Sequence, residues 1–205
     1  MMSYNELIST VEWIHHSEHS CLLIHKNGSK SVRNALFNYY GQDNLNCYTI
    51  PNQRGMNWTV IRNPIDRVIS GLAFDMKVCP TATEEQIIEN IEKSLYGLPS
   101  PLFRTEPILH ENHTFSQSCY LINNPIDFYV DISDLTPFLT ANFNHNTSYM
   151  IDYDKSRENY NKAEEVINKF GMNRLKDLLA FDIYLYEKIM SSGNLWKWQH
   201  GKVFL

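Results

Sequence analysis

The chain has 205 residues, of which 43% are hydrophobic and 20% charged, a composition that allows a substantial buried core. Its net charge of −5 disfavours general nucleic-acid binding, although a local basic site for a small polyanion remains compatible with it. No stretch approaches the roughly 20 apolar residues of a membrane span, and the N-terminus lacks the pattern of a signal peptide. We therefore expect a single cytoplasmic domain over residues 1–205, with no membrane or nucleic-acid partner. The sequence does not indicate its oligomeric state.

The N-terminal residues 5–18 place their apolar side chains at helical spacing, which predicts a short amphipathic helix. The histidines near its end lack the carboxylate or cysteine partners of a metal site and predict a polar, partly exposed helix end: His15, His16 and His19. The four cysteines also lack zinc spacing and are expected to be free thiols. The sequence therefore predicts no metal site.

The stretch 21–32 predicts a buried strand, a polar loop and a helix that begins near Lys30. The backbone N–H groups at a helix start favour an anion, and lysine and hydroxyl side chains would strengthen its binding. A Walker A loop is excluded because it requires glycine at positions 24 and 29. Gly28 is expected to let the backbone approach the ligand closely. The candidate anion-binding residues are Lys26, Asn27, Gly28, Ser29, Lys30 and Ser31.

A second strand–helix junction lies at 58–74, after a predicted parallel strand at 44–51. Asn63 is a favourable N-cap and Pro64 suits the first helical position. Arg62 leaves the end of the predicted strand, and Ser70 lies on the following helix. The order of strands and helices predicts an α/β fold with ligands at the carboxyl ends of parallel strands.

The remainder of the chain predicts mainly helices. Thr83 and Gln86 form a capping box at the start of an amphipathic helix. The other predictions are an irregular segment at 97–113, a strand at 127–132, a helix at 134–139 capped by Ser133, a loop at 142–160, and helices at 161–170 and 173–190.

These junctions resemble the nucleotide motifs of sulfotransferases that use 3′-phosphoadenosine 5′-phosphosulfate (PAPS). Residues 26–31 resemble the 5′-phosphosulfate loop of the carbohydrate branch, and 62–70 match the 3′-phosphate pattern R-[DN]-P-x-x-R-x-x-S. The segment 113–117 resembles a further H-x-x-x-Q segment of that branch. The resemblance implies a P-loop-like three-layer sandwich with a central, mainly parallel sheet flanked by helices. It also implies PAPS as cosubstrate and PAP (3′-phosphoadenosine 5′-phosphate) as product.

The resemblance assigns roles to particular residues. Lys26 would stabilise the charge of sulfuryl transfer, and Arg62 and Ser70 would bind the 3′-phosphate. Related enzymes often place a His or Glu base after the first motif, but residues 32–62 contain neither. The first candidate base is therefore His113, followed by His110 and His25.

Three functions remain open from the sequence. The first is sulfuryl transfer to a hydroxyl or amine of a sugar or small molecule. The second is a P-loop-like kinase, and the third is a non-catalytic protein that binds a nucleotide or a sulfated glycan. The sequence does not identify the acceptor.

Overall fold

A computed structural model describes residues 12–48, 50–51, 55–95, 116–122, 124–145, 153–197 and 201–203. The chain falls into two compact units. The sheet unit comprises 11–62, 120–151 and 186–205, and the helical unit comprises 1–10, 63–119 and 152–185. The single-domain interpretation stays a prediction. Within the described ranges, no helix is long and apolar enough to cross a bilayer.

The sheet unit contains five strands in the order β3-β1-β2-β4-β5. Pairings β2–β4 and β4–β5 are parallel, whereas β1 pairs antiparallel with both β2 and β3. The α/β class predicted from the sequence is confirmed, but the sheet is mixed rather than mainly parallel. The strands are β1 (Glu12–His15), β2 (His19–Leu23), β3 (Asn46–Tyr48), β4 (Met56–Ile61) and β5 (Phe128–Asp131).

The described α-helices are α1 (Ser29–Tyr40), α2 (Pro64–Val78), α3 (Glu84–Leu95), α4 (Ser118–Leu121), α5 (Leu135–Phe143), α6 (Tyr153–Phe170), α7 (Met172–Leu178) and α8 (Ala180–Met190). Helices α1 and α5 belong to the sheet unit, α2, α3, α6 and α7 belong to the helical unit, and α4 and α8 span the boundary between the two. Short 3₁₀ turns at Gln42–Asn44 and Ile132–Asp134 precede β3 and the fifth helix.

The core of the sheet unit forms where one face of the sheet packs against α1 and α5. Trp58 lies at its centre, fully buried and 4.9 Å from the ring of Phe138. Because α1 buries Val32, Ala35 and Leu36 in this core, its N-terminus is held beside the end of β2. The sheet contributes Ile14, Cys21, Leu23, Trp58, Val60 and Val130 to the same core.

The helical unit has a separate apolar core built mainly from α2, α3 and α6. Each helix contributes residues three or four positions apart, the spacing that places side chains on one helical face. The buried members include Val68, Ile69, Leu72 and Ala73 from α2, Ile87, Ile91 and Leu95 from α3, and Ala163, Val166, Ile167 and Phe170 from α6.

Several predicted elements differ from the structure. Glu12–His15 forms a strand rather than part of a helix, because it pairs with strands on both sides. The predicted strand at 44–51 shortens to Asn46–Tyr48 and lies at the sheet edge, antiparallel to β1. The predicted loop at 142–160 overlaps α6, which begins at Tyr153.

The N-cap before α5 was predicted wrongly. Asp134 rather than Ser133 occupies the N-cap position of this helix, and the Ser133 N–H and hydroxyl both donate to the Asp131 carboxylate. Helix α5 itself runs from Leu135 to Phe143, which is longer than the predicted 134–139.

Candidate functional site

The loop between β2 and α1 is tied to the neighbouring parallel strand β4. Asn27 Nδ2 donates to the Val60 carbonyl at 2.9 Å, and this side chain is only 1% exposed. Thr59 Oγ1 donates to the Leu22 carbonyl at 2.7 Å one step earlier along the same pair of strands. The loop is therefore fixed at the carboxyl ends of β2 and β4. The Asn27 side chain faces β4 and its N–H donates to the Ile24 carbonyl, so the anion contact expected from Asn27 stays a prediction.

The first residue of the second motif, Arg62, contacts the loop of the first motif. Arg62, the first residue beyond β4, donates from Nη1 to the Lys26 carbonyl at 3.2 Å, across 36 positions of sequence. Both side chains are partly exposed. A lysine ammonium and an arginine guanidinium at adjacent strand ends form a local positive region that suits a phosphate or sulfate group.

Lys26 has a left-handed backbone conformation, with φ of 65°. This conformation costs a residue with a Cβ roughly 1–2 kcal/mol, and the surrounding structure must maintain it. The Asn27 N–H closes the turn by donating to the Ile24 carbonyl at 3.1 Å, and Arg62 holds the Lys26 carbonyl. The loop therefore fixes the direction in which the Lys26 side chain leaves the backbone.

The structure explains the glycine at position 28 by a contact with protein atoms, which differs from the expected close approach of a ligand. It adopts φ of 77°, and a Cβ at this position would overlap Leu135 Cδ2 and lie 3.0 Å from Ile132 Cδ1. The missing side chain thus faces buried protein atoms rather than a ligand. Glycine allows α1 to start directly against the beginning of α5.

The N-terminus of α1 presents donors suited to an anion. Its N-cap is Gly28, which supplies no side-chain acceptor. Ser29 and Ser31 are partly exposed in the first turn, and Lys30 is exposed. No acidic residue lies in that turn. The positive end of the helix dipole, the hydroxyls and the lysines therefore favour the same charge.

The remaining motif residues belong to α2 of the helical unit. Asn63 accepts from the Ile65 N–H at 3.0 Å and Pro64 occupies the first helical position, so the predicted cap is confirmed. Ser70 is partly exposed, and its assignment to the 3′-phosphate stays a prediction. Arg67, the second arginine of the pattern, is 1% exposed and belongs to the interior of this unit.

Of the three candidate bases, His25 lies in the part of the chain that the structure describes. His113 and His110 lie outside the described residues, so their assignment stays a prediction. His25 follows β2 and precedes Lys26, and its side chain is partly exposed. Among the described histidines it is the one within the β2–α1 loop.

Two buried aspartates form hydrogen bonds that the sequence did not predict. Asp131, at the carboxyl end of β5, accepts from the Tyr186 hydroxyl at 2.8 Å as well as from Ser133. Asp182 accepts from the backbone N–H groups of Gln117 and Ser118, at 2.9 and 3.0 Å. Asp182 thereby anchors the segment just after residue 115. In the sequence both aspartates stand among apolar and aromatic residues, which is unusual for a carboxylate and is a signal that could have found them.

The three histidines do not form a helix end, because His15 ends β1 and His19 begins β2, although His15 and His16 are partly exposed as predicted. His19 is fully buried, with Trp58 Nε1 donating to its Nδ1 at 3.2 Å and its Nε2 lying 3.0 Å from the Tyr40 hydroxyl. Burial, followed by the nearby His16, lowers the pKa of His19 to about 3. Its neutral ring is therefore part of the core at neutral pH. The described residues contain no cluster of three potential metal ligands.

Comparisons with known proteins give no relative from which these roles could be transferred. No family model, curated protein or solved structure matches the chain.

Proposed function

We propose that the protein is a PAPS-dependent sulfotransferase whose acceptor is a hydroxyl or amine of a sugar or small molecule. The observation that carries this proposal is the hydrogen bond from Arg62 to the Lys26 carbonyl, which joins the two motifs. The proposal includes a P-loop-like three-layer arrangement and a cytoplasmic location.

The donor chemistry of the β2–α1 loop fits an anionic nucleotide. Lys26, Ser29, Lys30 and Ser31, together with the backbone amides of 28–31, would hold the phosphosulfate end. Arg62 and Ser70 would hold the 3′-phosphate. A guanidinium has five N–H donors, so Arg62 can bind phosphate oxygens while it keeps its hydrogen bond to Lys26.

PAPS, when bound, supplies an activated sulfuryl group. The chain's own contribution is to orient that group and to place positive charge where negative charge develops on the leaving oxygen. Lys26 is the residue proposed to place this charge. Its backbone is held by the Asn27–Ile24 hydrogen bond of the turn and by the hydrogen bond from Arg62. His113 is the residue proposed as the general base that removes the proton of the acceptor, and His110 and His25 are the alternative candidates.

Transfer of radiolabelled sulfate from PAPS to a panel of sugars and small hydroxyl or amine compounds tests the proposal. Lys26→Ala is expected to reduce transfer by a factor of about 10²–10³, the usual effect of removing one transition-state donor. The exposed Lys176→Ala serves as the charge-matched control and should retain activity. PAP binding without transfer to any acceptor would favour a non-catalytic nucleotide-binding protein instead.

A further inference from the structure

The sheet unit contains a concave site at the β1–β3 edge of the sheet. Its cavity has a volume of about 400 Å³ and is lined by His15, His16, Asn44, Asn46, Tyr48 and Ile50, among others. This volume lies within the range of roughly 300–1,000 Å³ typical of small-molecule sites.

Strand pairing explains why these side chains converge. His15 pairs with Asn46, and Tyr48 lies two residues further along β3, so all three project from the same face of the sheet. The His15 ring lies 4.5 Å from the Tyr48 ring at an angle of 40°. The Tyr48 side chain nevertheless remains 47% exposed, which leaves aromatic surface available to a ligand.

The polar groups of the cavity are held in place. His15 Nε2 lies 2.8 Å from the Ile50 carbonyl, which fixes the orientation of the imidazole ring. Asn44 Nδ2 donates to the Tyr40 carbonyl at 2.6 Å, which fixes that amide. Burial also lowers the pKa of His15, which favours its neutral form.

The lining residues that the structure describes favour an uncharged ligand. The described lining residues include no lysine, arginine, aspartate or glutamate. An ionic ligand would lose solvation there without gaining a counter-charge. An exposed aromatic face combined with asparagine and histidine groups and the lining residue Ser17 instead suits a molecule that has both an apolar face and several hydroxyls.

We propose that this cavity binds one uncharged saccharide unit, with a pyranose ring packed on Tyr48 and its hydroxyls bonded to Asn44, Asn46 and His15. The position of the cavity makes it separate from the nucleotide loop. His15 pairs with Ser20 near the start of β2, whereas the loop follows the end of that strand. The cavity therefore acts as a saccharide-holding site rather than as the place of group transfer.

Binding of defined saccharides to the full chain tests this inference. The probes are methyl glucoside, methyl galactoside and N-acetylglucosamine at millimolar concentration, followed by saturation-transfer NMR and titration. Tyr48→Ala is expected to weaken binding at least tenfold, and Tyr48→Phe should retain most of it because the ring face is kept. Tyr39→Ala is the matched control, since Tyr39 is 45% exposed and lies on α1 outside the cavity.

Two further readouts separate this site from the proposed nucleotide site. PAP affinity should be the same in Tyr48→Ala and the parent protein, and an unchanged value also shows that the variant is folded. The inference is overturned if no saccharide probe binds, or if Tyr39→Ala and Tyr48→Ala weaken binding equally. Preferential binding of an uncharged nucleoside such as adenosine at this cavity would also overturn it.

Discussion

Substitution of Gly28 tests whether the β2–α1 loop is shaped by packing against α5. Alanine at φ of 77° is strained by roughly 1–2 kcal/mol. Its methyl group would also overlap the buried Leu135 side chain, which adds an overpacking penalty of about 1–3 kcal/mol. The loss of unfolded-state freedom on replacing glycine offsets about 0.4–1 kcal/mol of this. We therefore expect Gly28→Ala to lower the free energy of unfolding by about 3 kcal/mol.

Urea unfolding followed by tryptophan fluorescence measures this change. The described tryptophans, Trp13, Trp58 and Trp196, are all buried in the sheet unit and report on it directly. Leu135→Ala removes the overlapping methyl groups, so the double variant should be destabilised by less than the sum of the two single variants. A neutral Gly28→Ala, or strictly additive effects in the double variant, would refute the packing explanation.

Three further predictions concern the same unit and use the same unfolding assay. Lys26→Gly should be about 1 kcal/mol more stable than Lys26→Ala, because glycine adopts φ of 65° without Cβ strain; equal stabilities would contradict this. Asn27→Ala should lose about 1–3 kcal/mol, since the buried Val60 carbonyl loses its donor, and an unchanged midpoint would show that this bond is unimportant. The lowered pKa of His19 means that the folded state binds fewer protons than the unfolded state below pH 6.5, so stability should fall as the pH drops from about 6.5 toward 3. This loss should amount to about 2 kcal/mol between pH 7 and pH 5 and should be absent in His19→Gln; an equal loss in that variant would assign it to other groups.

The two strand–helix junctions could be predicted because their signals are local. Each signal is contained within a few residues. The signals are the apolar run at Leu22–Ile24, the polar loop after it and the Asn63-Pro64 cap. Their approach in space followed from one general rule, that parallel strands bring their carboxyl ends to the same edge of a sheet.

Other features could not be predicted because tertiary partners determine them. Residues around Ile14 show apolar spacing compatible with a helix, yet Glu12–His15 pairs with two strands, and pairing outweighs local pattern. The break at Leu179 has no glycine or proline to mark it. Its N–H still donates to Leu175, and its carbonyl accepts from Ile183, so the predicted helix at 173–190 is interrupted at a single residue.

Gly28 shows the limit of motif reasoning within the site. A glycine in an anion-binding loop suggests close approach of a ligand, but here the space is filled by Leu135 and Ile132. That contact joins residues more than 100 positions apart, and no local pattern encodes it. The same holds for Asn27, whose side chain stabilises β4 rather than facing outward.

Thermal unfolding with and without PAP, with EDTA present and ATP as the comparison, tests the central claim most directly. At about 100 times its dissociation constant, PAP should stabilise the fold by roughly 2.7 kcal/mol, a rise in Tm of several degrees. The shift should largely vanish in Arg62→Ala and persist in Arg157→Ala, a matched removal of an exposed arginine on α6. Absence of a shift with PAP, an equal shift with ATP, or equal loss in both arginine variants would contradict a PAPS site at Lys26 and Arg62.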